Sequence, residues 1–376
     1  MSTEINFTDY ALEGICNLRP YAPGKPIEDL ERELGITNTL KLASNENPLG
    51  ASSMALQVLY DPLESLEMYP DGGGFALKQA LAREFDLSIE QITLGNGSND
   101  VLDLIARCFL GPGRNAVFSA HAFAVYPIVT QACGATAKVA SANPTDHAMP
   151  YGHDLDALLE CVDEQTQVIF IANPNNPTGT WLAADKLRQF IDSIPVHIII
   201  VIDEAYFEYV EEPDYPDTLM WLEDYPNLVV TRTFSKIYGL ASLRVGYAAS
   251  NPQVADLLNR VRQPFNVNSL ALAAATAAIA DVEQVTLSRQ VNQSGLQQWQ
   301  VACEANGWGY IPSVGNFMCV DVGCDALPVY DGLLKEGVIV RPVENYGLPQ
   351  HLRITIGTTE QNDRCIKALR KVLQSD

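Results

Sequence analysis

The chain has 376 residues, more than one ordinary hydrophobic core fills, so two domains are expected. Hydrophobic residues make up 47 % and charged residues 19 %, a balance that excludes a disordered or fibrous chain. With 46 acidic against 24 basic residues the formal charge is −22, the wrong sign for nucleic acid or an anionic membrane surface. The start, Met-Ser-Thr-Glu, has no basic region and leads into no apolar signal core, and no apolar stretch is long enough to span a bilayer. A soluble, cytoplasmic protein is expected.

Residues 1–50 carry Pro20, Pro23, Gly24, Pro26, Pro48 and Gly50 around one short helical stretch at 27–34, and read as an arm laid over another part of the molecule or a partner subunit. Over 51–265, apolar runs at 92–94, 116–119, 136–139, 168–172, 197–203, 228–232 and 245–249 alternate with amphipathic stretches. One of these, 100–110, sets Val101, Leu104, Ile105 and Cys108 on a single helical face. Several runs are continuously β-branched, as strands covered on both faces require, so an α/β domain with a mostly parallel central sheet is expected. Over 266–376 the alternation fails: helices at 270–280, 282–306 and 360–373 flank strand-like runs at 316–322, 338–342 and 351–357, a smaller α+β domain. Eight cysteines lack C-x-x-C spacing and read as small hydrophobes in a reducing compartment. Five scattered histidines without i, i+4 pairing point to no metal site.

Four segments place polar residues where apolar runs end, the position at which open α/β sheets bind ligands. They are Ala172-Asn173-Pro174-Asn175-Asn176-Pro177-Thr178-Gly179, Val201-Ile202-Asp203-Glu204-Ala205-Tyr206, Thr231-Arg232-Thr233-Phe234-Ser235-Lys236 running on to Gly239, Leu240 and Arg244, and the turn Gly95-Asn96-Gly97-Ser98-Asn99 opening a helix. Alone, each has an ordinary explanation: a Pro/Asn turn, a strand fading into solvent, a surface lysine, a tight turn. A buried carboxylate needs a cationic partner, a desolvated lysine is a nucleophile, and a helix N-terminus holds phosphate.

Together, in this order and with 27 residues from Asn176 to Asp203 and 33 from Asp203 to Lys236, the segments resemble the fold-type I, pyridoxal-phosphate-dependent aminotransferases over nearly the whole chain. Within that family, Leu18-Arg19-Pro20-Tyr21, Asn45-Glu46-Asn47-Pro48, Met68-Tyr69-Pro70-Asp71, the 338–342 run and Leu352-Arg353-Ile354-Thr355 are similar to the histidinol-phosphate subgroup. One departure is the triplet Gly72-Gly73-Gly74.

The resemblance implies pyridoxal 5′-phosphate carried on Lys236, with Asp203 at the ring nitrogen, Asn176 and Tyr206 at the ring oxygen and Phe123 stacked on the ring. Ser98, Asn99, Thr233, Ser235 and Arg244 would hold its phosphate, and Tyr69 would reach the phosphate in the neighbouring subunit of a homodimer. It implies Tyr21, Asn47, Asn176, Arg341 and Arg353 as substrate contacts. The implied reaction is transamination of L-histidinol phosphate with 2-oxoglutarate, giving imidazole acetol phosphate and glutamate in histidine biosynthesis. An aromatic amino-acid aminotransferase and a pyridoxal-phosphate-dependent decarboxylase of a phosphorylated amino acid share the same cofactor set and remain alternatives. A cofactor-binding protein without turnover fits less well, because the Lys236, Asp203, Asn176 and Tyr206 set is intact.

Overall fold

The computed structural model describes residues 6–374 apart from 22, 60–62 and 64. Seven strands form one sheet in the order Ile92–Gly95, Gly246–Ser250, Leu228–Thr233, Ile199–Asp203, Thr166–Ala172, Asn115–Ser119 and Thr136–Ala140. Only Gly246–Ser250 runs antiparallel to its neighbours. The alternating side chains of each central strand feed two different cores. Val168, Phe170 and Val201 pack under helices Ser98–Phe109 and Val125–Ala132, while Ile169, Ile171, Ile200 and Ile202 pack under helices Leu155–Glu160 and Ala184–Asp192. Burial on both faces is why these segments read as unbroken apolar runs.

A second, antiparallel sheet orders Arg341–Val343, Leu348–Thr355, Phe317–Asp321 and Gly309–Ile311. Its core joins Met318, Val320, Leu352 and Ile354 to Trp299, Leu333 and Leu369 of three helices. Leu40 and Leu42 enter the same core, because Leu40–Lys41 pairs in parallel with Val338–Ile339.

The structure departs from the sequence pattern at two points. The run at 338–342 is not one strand: Val338–Ile339 belongs with Leu40–Lys41, and Arg341–Val343 turns to pair with Leu348–Thr355. The short strand Gly309–Ile311 has no counterpart in the apolar pattern, since its three residues sit at a sheet edge beside one neighbour. Helix Ser269–Ala278 buries Ala271, Ala274 and Ala275 against Leu77, Leu81 and Leu94 of the large sheet's side, and the packing passes to the second sheet only along helix Val282–Asn306. The cysteines are all free but not uniformly interior: Cys303, Cys319 and Cys365 are buried, whereas Cys16 and Cys324 are exposed.

The glycine triplet has a physical use. Gly74 caps helix Phe75–Phe85 in a left-handed conformation (φ +60°), and a Cβ there would meet Leu94 Cδ1 at 2.3 Å. Asp71 accepts from the amides of Gly73 (2.9 Å) and Phe75 (2.7 Å), which holds its carboxyl below the usual range.

Candidate active site

The strands Ile92–Gly95, Thr166–Ala172, Ile199–Asp203 and Leu228–Thr233 all end at one edge of the large sheet, facing the second sheet. A cavity of about 180 Å³ lies there, lined by Asn176, Asp203, Tyr206, Ser235, Lys236 and Arg244 from one side and Arg341 and Arg353 from the other.

Lys236 is set by its neighbours. Phe234 and Ile237 are fully buried on either side of it, so the lysine is held at the cavity wall, and its ammonium donates to the Ser44 carbonyl at 3.2 Å. Burial pulls its pKa down to about 8; Arg353 and Arg244 push the same way, while Glu46 and Asp203 oppose. A neutral amine is therefore far more accessible here than on a surface lysine.

Asp203 is buried at the end of its strand. Its two oxygens each accept a hydroxyl donor, Tyr126 at 3.0 Å and Thr231 at 3.1 Å. Burial raises its pKa, and those two donors, the Ala205 amide and Lys236 counter the shift. Tyr206 is pushed up by burial, so its hydroxyl stays protonated. Asn45 donates to that hydroxyl oxygen at 2.8 Å, leaving the Tyr206 proton free to donate elsewhere. Asn45 itself is held in a left-handed conformation (φ +57°) by Thr355, whose hydroxyl accepts from its amide at 2.9 Å.

Arg353 is buried and donates to Asn176 Oδ1 (2.6 Å) and the Ala43 carbonyl (2.8 Å), while its Nε has no partner among the described residues. With Oδ1 turned to the arginine, the Asn176 NH2 is left to donate to whatever fills the cavity.

At the opposite end, helix Ser98–Phe109 points its N-terminus at the cavity. Gly97 caps it at φ +81°, and a Cβ there would meet Arg244 Nη2 at 2.3 Å. Arg244 donates to Ser235 Oγ at 3.2 Å, and Thr233 Oγ1 accepts from the Ser235 amide at 3.1 Å. Unused first-turn amides, two hydroxyls and a guanidinium brought against a glycine form a cradle for a dianionic phosphate.

A profile of the class I and II aminotransferases matches residues 37–369. The chain belongs to that family. The aminotransferase is 58 % identical over 370 residues to histidinol-phosphate aminotransferase 2 of Pseudomonas fluorescens, covering 98 % of each chain. It is 55 % identical over 369 residues to histidinol-phosphate aminotransferase 2 of Methylococcus capsulatus, covering 98 % of this chain and 100 % of that one. Among solved structures, histidinol-phosphate aminotransferase of Sinorhizobium meliloti in complex with pyridoxal-5′-phosphate superposes with a TM-score of 0.88 at 28 % identity, over 96 % of this chain and 97 % of that one. Aspartate aminotransferase of Thermus thermophilus with maleate shares the fold, with a TM-score of 0.82 at 17 % identity over 96 % and 99 % of the two chains.

In this aminotransferase most of the residues singled out from sequence meet in one cavity: Tyr21, Ser98, Asn99, Phe123, Asn176, Asp203, Tyr206, Thr233, Ser235, Lys236, Arg244, Arg341 and Arg353 all line it. Two do not. Asn47 donates to the Ile237 carbonyl (2.7 Å) and Ser288 (2.8 Å), so it braces the segment behind Lys236 instead of facing a substrate. Tyr69 is 81 % exposed and stacks on Phe265 at 4.7 Å, away from this chain's own cavity. Sequence reasoning missed Tyr126, and it held Asn45, Thr231 and Thr355 only as members of longer segments, with no role of their own. Thr231 was legible, since it sits two residues before Thr233 on the same strand face; Tyr126 needs the fold, because only the sheet brings position 126 to 203.

Proposed function

We propose that this aminotransferase uses pyridoxal 5′-phosphate to move the amino group of L-histidinol phosphate to 2-oxoglutarate, giving imidazole acetol phosphate and glutamate. The observation that carries the substrate reading is the register of two arginines. Arg341 and Arg353 lie directly opposite on adjacent strands, both buried and both on the cavity that holds Lys236. One such pair suits a phosphate dianion in one half-reaction and a dicarboxylate in the other. Tyr21, whose ring lies 5.6 Å from the Arg341 guanidinium, closes the same side. The names of the relatives at 50–58 % identity support the same substrate.

When bound, pyridoxal phosphate supplies an electron-withdrawing ring that spreads the charge left on a substrate carbon after proton loss. The residues divide the rest of the work. Asp203 would present its carboxylate to the ring nitrogen, and Phe123 would cover the ring face. The Asn176 NH2 and the Tyr206 hydroxyl would donate to the ring oxygen. Ser98, Asn99, Thr233, Ser235 and Arg244 would hold the phosphate. The Lys236 amine would attach the cofactor, and as a free base its nitrogen would take up and hold the proton of the substrate Cα. Tyr69 acts in the partner's site of a cytoplasmic homodimer. Its exposure, and the exposed Met54, Leu56, Leu66, Met68 and Phe75, support a partner surface.

The test is a panel of amino donors against 2-oxoglutarate. Histidinol phosphate is expected to give a higher kcat/KM than phenylalanine, tyrosine or aspartate, and Arg341→Ala to lower it by roughly 30-fold or more while sparing phenylalanine and tyrosine, which have no second anionic group. A preference for the aromatic amino acids, or equal losses on all donors, would defeat the assignment.

A further inference from the structure

The residue the mechanism leaves unused is Tyr126, and it touches two of the groups just assigned. Its ring is completely buried, stacked on Phe170 with centroids 4.8 Å apart and planes within 8°, and meets Phe123 edge-on at 5.9 Å. Its hydroxyl donates to Asp203 Oδ2 at 3.0 Å. The first turn of helix Val125–Ala132 thus reaches from the aromatic that covers the cofactor ring to the carboxylate that faces its nitrogen.

We propose that Tyr126 is the positioning residue of Asp203: its hydroxyl fixes the carboxylate's rotation and keeps it ionised, so that the carboxylate can hold a proton on the ring nitrogen of the bound cofactor. This rests on the reading of Asp203 given above.

The argument is one of lone pairs and burial. A carboxylate has about four acceptor positions, two on each oxygen. Tyr126 takes one on Oδ2, Thr231 one on Oδ1 and the Ala205 amide a third, so each oxygen is oriented by a hydroxyl and one position is left for the ring N–H. A buried carboxylate without such donors drifts toward its neutral acid, which cannot stabilise a positive charge. Tyrosine suits the place because its own hydroxyl is held protonated: burial and the adjacent Asp203 both push its pKa up, so it donates across the working pH range. The stack on Phe170 does not involve the hydroxyl. Tyr126→Phe therefore removes the donor and leaves the packing in place.

The test compares Tyr126→Phe, Thr231→Val, Asp203→Asn and Tyr225→Phe with wild type as the pyridoxal-phosphate-loaded protein. Tyr225 also donates to an aspartate, Asp192 at 2.7 Å, but at the surface, so it controls for loss of a Tyr–Asp hydrogen bond. The readouts are cofactor affinity and the pH midpoint of the cofactor's visible absorbance, with thermal melting to show that each variant folds. Tyr126→Phe is expected to weaken cofactor binding by about 10-fold or more, the range for a buried hydrogen bond to a charged group. It should move the absorbance midpoint to higher pH, because a less positive ring releases the proton at the lysine linkage less readily. Thr231→Val should move it the same way and Tyr225→Phe not at all. If Asp203→Asn shifts the midpoint and Tyr126→Phe does not, Tyr126 is packing alone and the proposal falls. If Asp203→Asn leaves the midpoint unchanged, the reading of Asp203 itself falls, and this proposal with it. Should Tyr126→Phe fail to fold, an unmoved midpoint in Thr231→Val would overturn the idea that hydroxyl donors hold Asp203 ionised.

Discussion

At the scale of single residues, the cavity is governed by what burial does to charge. Burial pushes Asp203 toward its neutral acid against the donors that counter it, and pushes Lys236 toward its neutral amine against Glu46 and Asp203. The sign of the lysine shift has a direct consequence for the cofactor-free protein. With a pKa near 8, about one Lys236 in ten is neutral at pH 7, against fewer than about one in a thousand for an ordinary lysine at 10.5. Only the neutral amine attacks an aldehyde. The rate at which the cofactor-free chain captures pyridoxal phosphate is therefore expected to rise about tenfold per pH unit below 8 and to level off above it. Borohydride reduction and peptide mapping should then find the label on Lys236, and Lys236→Ala should abolish it. A rate still climbing past pH 9.5, or a label on another lysine, would refute this.

At the scale of elements, function depends on backbones that approach more closely than side chains allow. Gly97 opens helix Ser98–Phe109, and Gly246, on the neighbouring strand, would drive a Cβ to 2.5 Å from the Ser98 amide. Gly97→Ala is expected to displace the Arg244 guanidinium and to strain a backbone at φ +81°, a cost on the order of 1–3 kcal/mol concentrated at the phosphate cradle. Titration with pyridoxal phosphate should show affinity reduced by roughly 10-fold or more, while thermal melting of the cofactor-free chain shifts by only a few degrees. Unchanged affinity would mean that Arg244 does not need the space.

The same elements show what could be read without coordinates. The central strands were legible because burial on both faces writes them as apolar runs such as 168–172 and 197–203. The helix 282–306 was legible from its closing Gly307, which takes the left-handed cap at φ +69°. The cavity residues were legible mainly through the resemblance, since each segment alone reads as an ordinary turn or strand end. What stayed hidden depends on pairing: the break at Val340 between two sheets, the docking of the Ala-rich helix on the large sheet, and the Tyr126–Asp203 contact across 77 residues. None of these leaves a periodic trace, because each is decided by which element becomes a neighbour.

At the scale of the whole molecule, Tyr69 and Lys236 belong to different surfaces of the same chain. Lys236 lines the cavity; Tyr69 is 81 % exposed, stacked on Phe265, and sits among Leu66, Met68 and Phe75, each more than half exposed. So much apolar side chain at one place is costly in water and suits contact with a second copy. If the dimer is isologous, each Tyr69 serves the other chain's cofactor. A variant chain lacking Tyr69 still owns an intact Lys236, and a variant lacking Lys236 still owns an intact Tyr69. Mixing Tyr69→Ala with Lys236→Ala, after denaturation and refolding or slow subunit exchange, should build hybrid dimers with one site made from the two unaltered contributions and one from the two altered ones. Each hybrid is thus expected to carry about half the activity of a wild-type dimer, and a statistical mixture, in which about half the dimers are hybrid, about one quarter. The measurement is transamination activity on the mixture, with the hybrid fraction verified by tagging one parent and purifying through the tag. Confirmed hybrids with no activity above the parents would place Tyr69 outside the partner's site, and its exposed ring would then need a different occupant.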